Sequence, residues 1–166
     1  MAVANTKSTS ITAFDAVPKS VAPGYKHKSP LYISRDTAEV AADDDNGSVY
    51  RILRLPSNAC IKELNLLNDA ITAGTDFDIG VYQTADNGGA VVDINLFGDA
   101  IDLSSERTLP LNAMYEGGID IINGDTRLWE LLGLSADPHR EYDICLTGVA
   151  VGTGAGSVGL ECVWSQ

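Results

Sequence analysis

Between Asp76 and Tyr82 the side chains alternate without a break. In an extended chain Phe77, Ile79 and Val81 share one face, while Asp78, Gly80 and Tyr82 share the other. A period of two belongs to a strand with one face on a core, and a helix would need a period near 3.6. The segment is closed by Asp86-Asn87-Gly88-Gly89, and further Asn-Gly steps stand at 46–47 and 123–124. Asn-Gly tolerates the positive φ that tight turns require. Pro56-Ser57-Asn58 and Asp137-Pro138 add breaks of another kind. A chain cut this way is confined to short strands that must pair with one another.

The remaining segments fit that scheme. Leu31-Tyr32-Ile33 can open a strand, and residues 48–55 form one rich in β-branched and aromatic groups. Residues 59–67 read as the next, with an imperfect pattern in which Glu63 leaves a helical turn open. Residues 69–75 read as a loop, 90–96 as a strand and 98–105 as a short helix; 104–118 carry no clear period. One further helix is expected near 125–132. Asp125 would cap it, Leu128, Leu131 and Leu132 would share a face over about two turns, and Gly133 would end it in the left-handed conformation. Residues 141–147 repeat the aromatic-Asp-Ile pattern of 77–79, which suggests two strands placed alike in one sheet. Gly152-Thr153-Gly154-Ala155-Gly156 reads as a flexible hairpin link to a last strand at 158–164. The expected fold is therefore mostly β: an antiparallel β-sandwich with one short helix. The Cys…Trp…Cys spacing of an immunoglobulin domain is missing, which leaves the jelly roll as the preferred sandwich.

Charge divides the chain in two. Residues 1–36 hold five basic and two acidic groups, a net of +3, and the rest of the 166 residues carries −15. An acidic body repels nucleic acid. The first thirty residues have Pro18, Pro23 and Pro30 and few large apolar groups, so they read as an extended arm, 1–30, ahead of a folded domain, 31–166. No apolar run is long enough to span a membrane, and no charged start precedes an apolar stretch as in a secretory signal. Cys60, Cys145 and Cys162 lie in apolar runs far apart, the pattern of buried thiols in a reducing cytosol rather than of disulfides or a CxxC metal site.

The search for chemistry finds little to assemble. His27 and His139 have no second ligand at metal spacing, and no Gly-x-Ser-x-Gly elbow is present. Asp78 and Asp143, on the two similar strands, are the one carboxylate pair that the pattern places. They are expected to face away from Phe77 and Tyr142 toward solvent. Residues 43–47 invite a calcium reading, but Gly47 falls at position 5 and Ser48 at position 6, so the EF-hand pattern fails and a solvated turn is expected. The glycine-rich 152–156 lacks an adjacent Lys and leads into a strand, so it is no phosphate cradle. Neither enzyme activity nor a metal or cofactor is expected.

A resemblance narrows the class. Residues 50–56 (Tyr-Arg-Ile-Leu-Arg-Leu-Pro), 66–70 (Leu-Leu-Asn-Asp-Ala) and 76–82 resemble segments of small proteins encoded beside the major capsid protein of tailed bacteriophages. Leu128-Trp129-Glu130-Leu131-Leu132-Gly133-Leu134 and Tyr142-Asp143-Ile144 extend the likeness to about two thirds of the chain. Some of that group are head decoration, or cement, proteins with jelly-roll folds. The resemblance implies a structural virion protein made in the host cytoplasm. It would bind the outside of an assembled capsid and bridge neighbouring capsid subunits.

On that reading the partner is the major capsid protein. The protein would itself be a dimer or trimer, and neither nucleic acid nor membrane would be involved. Lys19, Tyr25, Lys26, Lys28, Tyr32 and Arg35 are the expected contacts to capsid or to a sister subunit. A receptor- or glycan-binding β-sandwich of a phage fibre is the alternative, with Tyr82, Tyr115 and Trp129 as candidate sugar platforms.

Overall fold

The computed structural model describes residues 6–21 and 29–166. Eight strands form the body: β1 (Tyr32–Val40), β2 (Val49–Pro56), β3 (Cys60–Asn68), β4 (Asp76–Gln83), β5 (Val91–Ile101), β6 (Arg107–Asn112), β7 (Glu141–Ala150) and β8 (Gly156–Ser165). They make two four-stranded sheets, ordered β1-β8-β3-β6 and β2-β7-β4-β5. First pairs with last, second with second-last, third with sixth and fourth with fifth, all antiparallel. The chain is thus a long hairpin, its tip at the β4–β5 turn, wrapped until β8 meets β3 and β7 meets β4. That order is the jelly roll the turn spacing suggested.

The sandwich closes over the inward faces. Leu55, Leu64, Leu66, Phe77, Ile79, Ile144 and Leu146 are fully buried between the sheets. Two bulges explain the irregular patterns. A register shift between Arg51 and Leu53 turns both Ile52 and Leu53 into the core. Another between Ile61 and Glu63 lets β3 stay extended where its pattern left a helical turn open.

The β5 strand departs most from expectation. Ile79 pairs with Gly98 and Val81 with Asp93, so Gly80 alone faces residues 94–97. The extra residues arch over the outer face of β4, and a Cβ on Gly80 would overlap the carbonyl oxygens of Asp93 and Ile94. Residues 98–101, expected to begin a short helix, finish β5 instead. Ile101 and Leu103 are both buried two positions apart, a strand spacing rather than a helical one. The unreadable 104–118 holds β6, an edge strand containing Pro110, and a single 3-10 turn at Ala113–Tyr115.

The helices also differ from the reading. In α1 (Thr9–Asp15) the chain is helical inside the stretch expected to be extended. Its prolines all lie downstream, and the Ser8 Oγ accepts from Ile11 N to start the turn. In α2 (Leu128–Leu131) there is one turn rather than two, and it begins after Arg127 instead of Asp125. The N–H groups of Leu128 and Trp129 donate to the carbonyls of Ala59 and Ser57, so tertiary contacts do the work of an upstream cap. Gly133 does end the segment at φ 69°. The 152–156 segment joins β7 to β8, which lie in different sheets, so it is a crossing and not a hairpin. It is pinned there, since Thr153 N and Gly154 N both donate to Thr72 O.

Candidate interaction surface

The expected contact residues separate into three groups. Lys19 is exposed in the leader. Tyr25, Lys26 and Lys28 lie outside the described residues, as does His27. Tyr32 and Arg35 belong to β1 and are held by β8. Tyr32 stacks on Trp164 with ring centroids 4.7 Å apart, and the indole Nε1 donates to Ser34 Oγ at 3.1 Å. Arg35 stands 3.7 Å from Glu161 on the neighbouring strand. Ser29 Oγ donates to the carbonyl of Gln166, so the chain enters β1 beside the end of β8. Leu31 and Ile33 remain exposed there.

The groups with catalytic potential are occupied structurally. Asp78 and Asp143 point away from the core, yet both are buried rather than solvent-facing. Asp78 Oδ1 accepts from Ala100 N at 3.0 Å; burial pushes its carboxyl above the usual range, with Asp99 and Asp76 adding to the shift. Asp143 accepts from both Arg51 and Arg54, side chains that lie over it from β2. Arg51 also covers the Tyr82 ring at 5.4 Å, and the Tyr82 hydroxyl meets Thr147 Oγ1 at 2.8 Å. Tyr82 is therefore roofed and offers no face to a sugar.

Ser57, Asp137 and His139 meet at one end of the sandwich. The order of contacts is not that of a hydrolase triad. The Ser57 hydroxyl donates directly to Asp137 Oδ1, and His139 Nδ1 lies 3.4 Å from the other carboxylate oxygen. The carboxylate sits between serine and histidine, so the imidazole has no path to the hydroxyl proton. Ser57 Oγ also accepts from Arg140 N, and Asp137 accepts from His139 N. These bonds, Ser57 first, hold the Asp137 carboxyl below its ordinary range and knit the loop.

In the 43–47 turn Asp44 accepts from Ala41 N at 2.9 Å and from the Tyr50 hydroxyl at 2.7 Å. The carboxylate builds the turn. Burial pushes the Tyr50 phenol up to about 12, with Asp44 adding to it. Among the described residues no group of three His, Cys, Asp or Glu side chains is arranged to hold a metal ion, and no helix is long and apolar enough to cross a membrane.

What the sequence missed is on the surface. Ile121 and Ile122 are each 77% exposed, side by side in a 3-10 turn (Ile121–Asn123) before α2. Asp120 caps that turn through Ile122 N at 3.2 Å. Gly124 lies against the Tyr115 ring, so close that a Cβ there would overlap the hydroxyl. Tyr115, Ile121 and Ile122 thus share one end of the body, flanked by Glu116, Asp120 and Asp125. The Ile-Ile pair followed by Asn-Gly was the available signal, and it reads equally well as a strand end.

The fold occurs in a phage capsid. A chain from the capsid of Ralstonia phage GP4 superposes with a TM-score of 0.56 at 13% identity, covering 82% of this chain and 84% of that one. A chain of the cyanophage Pam1 capsid asymmetric unit gives a TM-score of 0.49 at 12% identity, over 89% of this chain and 92% of that one. No protein-family model and no curated protein matches the sequence. At such identity the likeness to the GP4 chain is one of fold.

Proposed function

We propose that this chain is a structural virion protein that binds the outside of an assembled phage capsid and bridges or stabilises neighbouring capsid subunits. One observation carries the reading: the jelly-roll body matches a chain from a phage capsid over more than four fifths of both molecules. The surface chemistry supports it. The carboxylates and hydroxyls with catalytic potential are bound up in ion pairs and turns. A lattice of repeated capsid subunits adds multivalency to each single contact.

In this reading residues 1–30 act as an arm on a body of 31–166, and the partner is the major capsid protein. Lys19, Tyr25, Lys26, Lys28, Tyr32 and Arg35 make contact with capsid or a sister subunit. Tyr32 and Arg35 do so from a rigid strand, because β8 fixes them. The experiment is co-sedimentation of the purified protein with empty shells of the phage that encodes it, followed by thermal melting of the shells. Binding with a raised shell melting temperature is expected. Deleting residues 1–30 should weaken binding while the body stays folded. Failure of the full chain to pellet with shells would remove the proposal, and full affinity of the truncated chain would remove the arm's part in it.

A further inference from the structure

We infer that the Tyr115–Ile121–Ile122 patch is a docking surface for the leader of a second copy of this chain. The patch pairs two features that a solvated loop does not need. Its centre is apolar, with two adjacent isoleucines held outward by a capped turn. Its rim is acidic, through Glu116 and Asp120, both exposed. An apolar cluster rimmed by polar groups is the pattern of a protein contact site.

The leader supplies the complement on both counts. Val17 and Val21 are 97% and 92% exposed, and Lys19 stands between them, also exposed. Residues 1–36 carry +3 against −15 for the rest of the chain, so a leader is attracted to a body. Both valines are exposed on their own chain. A second copy offers the same acidic, apolar-centred patch to them. Such a contact is heterologous, leader to patch. It closes into a ring when the rotation between copies allows it. The inference concerns self-association and stands apart from capsid binding.

The test is sedimentation velocity of the full chain over a range of concentrations, with circular dichroism to confirm folding. The wild type is expected to associate, and to do so less as ionic strength rises. The Ile121→Asp/Ile122→Asp variant, whose changes fall on exposed side chains, should sediment as a monomer with its fold intact. Val17→Ser/Val21→Ser should do the same from the other side. Lys19→Glu should weaken association at least several-fold, and adding Glu116→Lys on the exposed rim should restore it. A wild type that is monomeric at every concentration overturns the inference. So does association that survives the double isoleucine change, or a failure of the charge swap to rescue. Monomers in solution that still bind shells would assign the leader to the capsid and overturn the inference likewise.

Discussion

Arg51 reaches across from β2 to Asp143 on β7 at 3.0 Å, against a carboxylate whose side chain is only 5% exposed. The same guanidinium donates to the carbonyls of Gln83 at 2.8 Å and Gly89 at 2.6 Å, so it ties the β4–β5 turn to the sheet. Arg54 adds a second, two-pronged contact to Asp143. Asp143→Ala would leave two partly exposed arginines facing each other without their counter-charge. The pair is neither fully buried nor a surface pair, so a loss of about 2 kcal/mol is expected, between the two extremes. Thermal melting checks it, with a fall in Tm of about 4–8 °C expected for a chain of this size. An unchanged Tm would mean that the two carbonyls suffice for Arg51 and that solvent suffices for Arg54.

Asp78 has the opposite pH behaviour from Asp44, Asp102 and Asp137. Its folded pKa is raised, so the folded state holds the proton more tightly than the unfolded one. The stability this contributes is full below the ordinary Asp pKa and is lost as pH rises through the folded value. Asp44, Asp102 and Asp137 are lowered and act in reverse, losing their contribution as pH falls through their folded values. Asp78→Asn keeps an acceptor for Ala100 N and removes the buried charge. The variant should melt above wild type at pH 7, and the gap should close as pH falls toward 4. A gap independent of pH would assign the effect to packing.

These two carboxylates show what the sequence could and could not convey. The alternation at 76–82 and 141–147 was enough to place Asp78 and Asp143 on strands and on the face away from Phe77 and Tyr142. Their burial was not legible, because it comes from Arg51 and Arg54, 92 and 89 residues from Asp143, and from the β5 bulge at Asp99 and Ala100 that faces Asp78. The β5 arch hides for a related reason: its cause is the missing side chain of Gly80 on another strand. The β6 strand escaped because an exposed edge strand with Pro110 has no face to keep apolar. Ile121 and Ile122 were visible as residues but not as a surface. An isoleucine pair turns inward or outward according to the packing of a turn, which no local pattern encodes.

Gly80 and Gly47 make a matched pair for testing the arch. At Gly80 an added Cβ runs into backbone carbonyls of Asp93 and Ile94, which cannot rotate away. At Gly47 the cost is conformational only: φ is 95° and nothing lies within 4 Å. Gly47→Ala should therefore cost about 1 kcal/mol, the usual figure for a left-handed backbone. Gly80→Ala should cost about 2–3 kcal/mol, as for overpacking of a closed site, and should loosen β5. Denaturant melts give the first comparison, and hydrogen exchange at residues 93–97 gives the second. Equal costs at the two positions would mean that the arch yields easily.

The thiols provide a chemical check on the sandwich itself. Cys60, Cys145 and Cys162 are all buried. Burial pushes the Cys145 thiol up to about 12, with Asp143 raising it and Arg51 opposing, and it pushes Cys162 up to about 12 as well. A thiol so placed carries almost no thiolate at neutral pH, and the thiolate is the reactive form. Cys145 lies on the outer face of β7, beneath the Arg51 side of the sheet, whereas Cys162 lies in the core between the sheets. In the native protein neither should react with a disulfide reagent such as Ellman's over minutes at pH 8. All three cysteines should react at once in denaturant. Arg51→Ala thins the cover over β7 without touching the core, so it should speed labelling of Cys145 and leave Cys162 as slow as before. Equal acceleration of both would show that the substitution opens the whole sandwich, and rapid native labelling of Cys145 in wild type would show that the outer face of β7 is open to solvent.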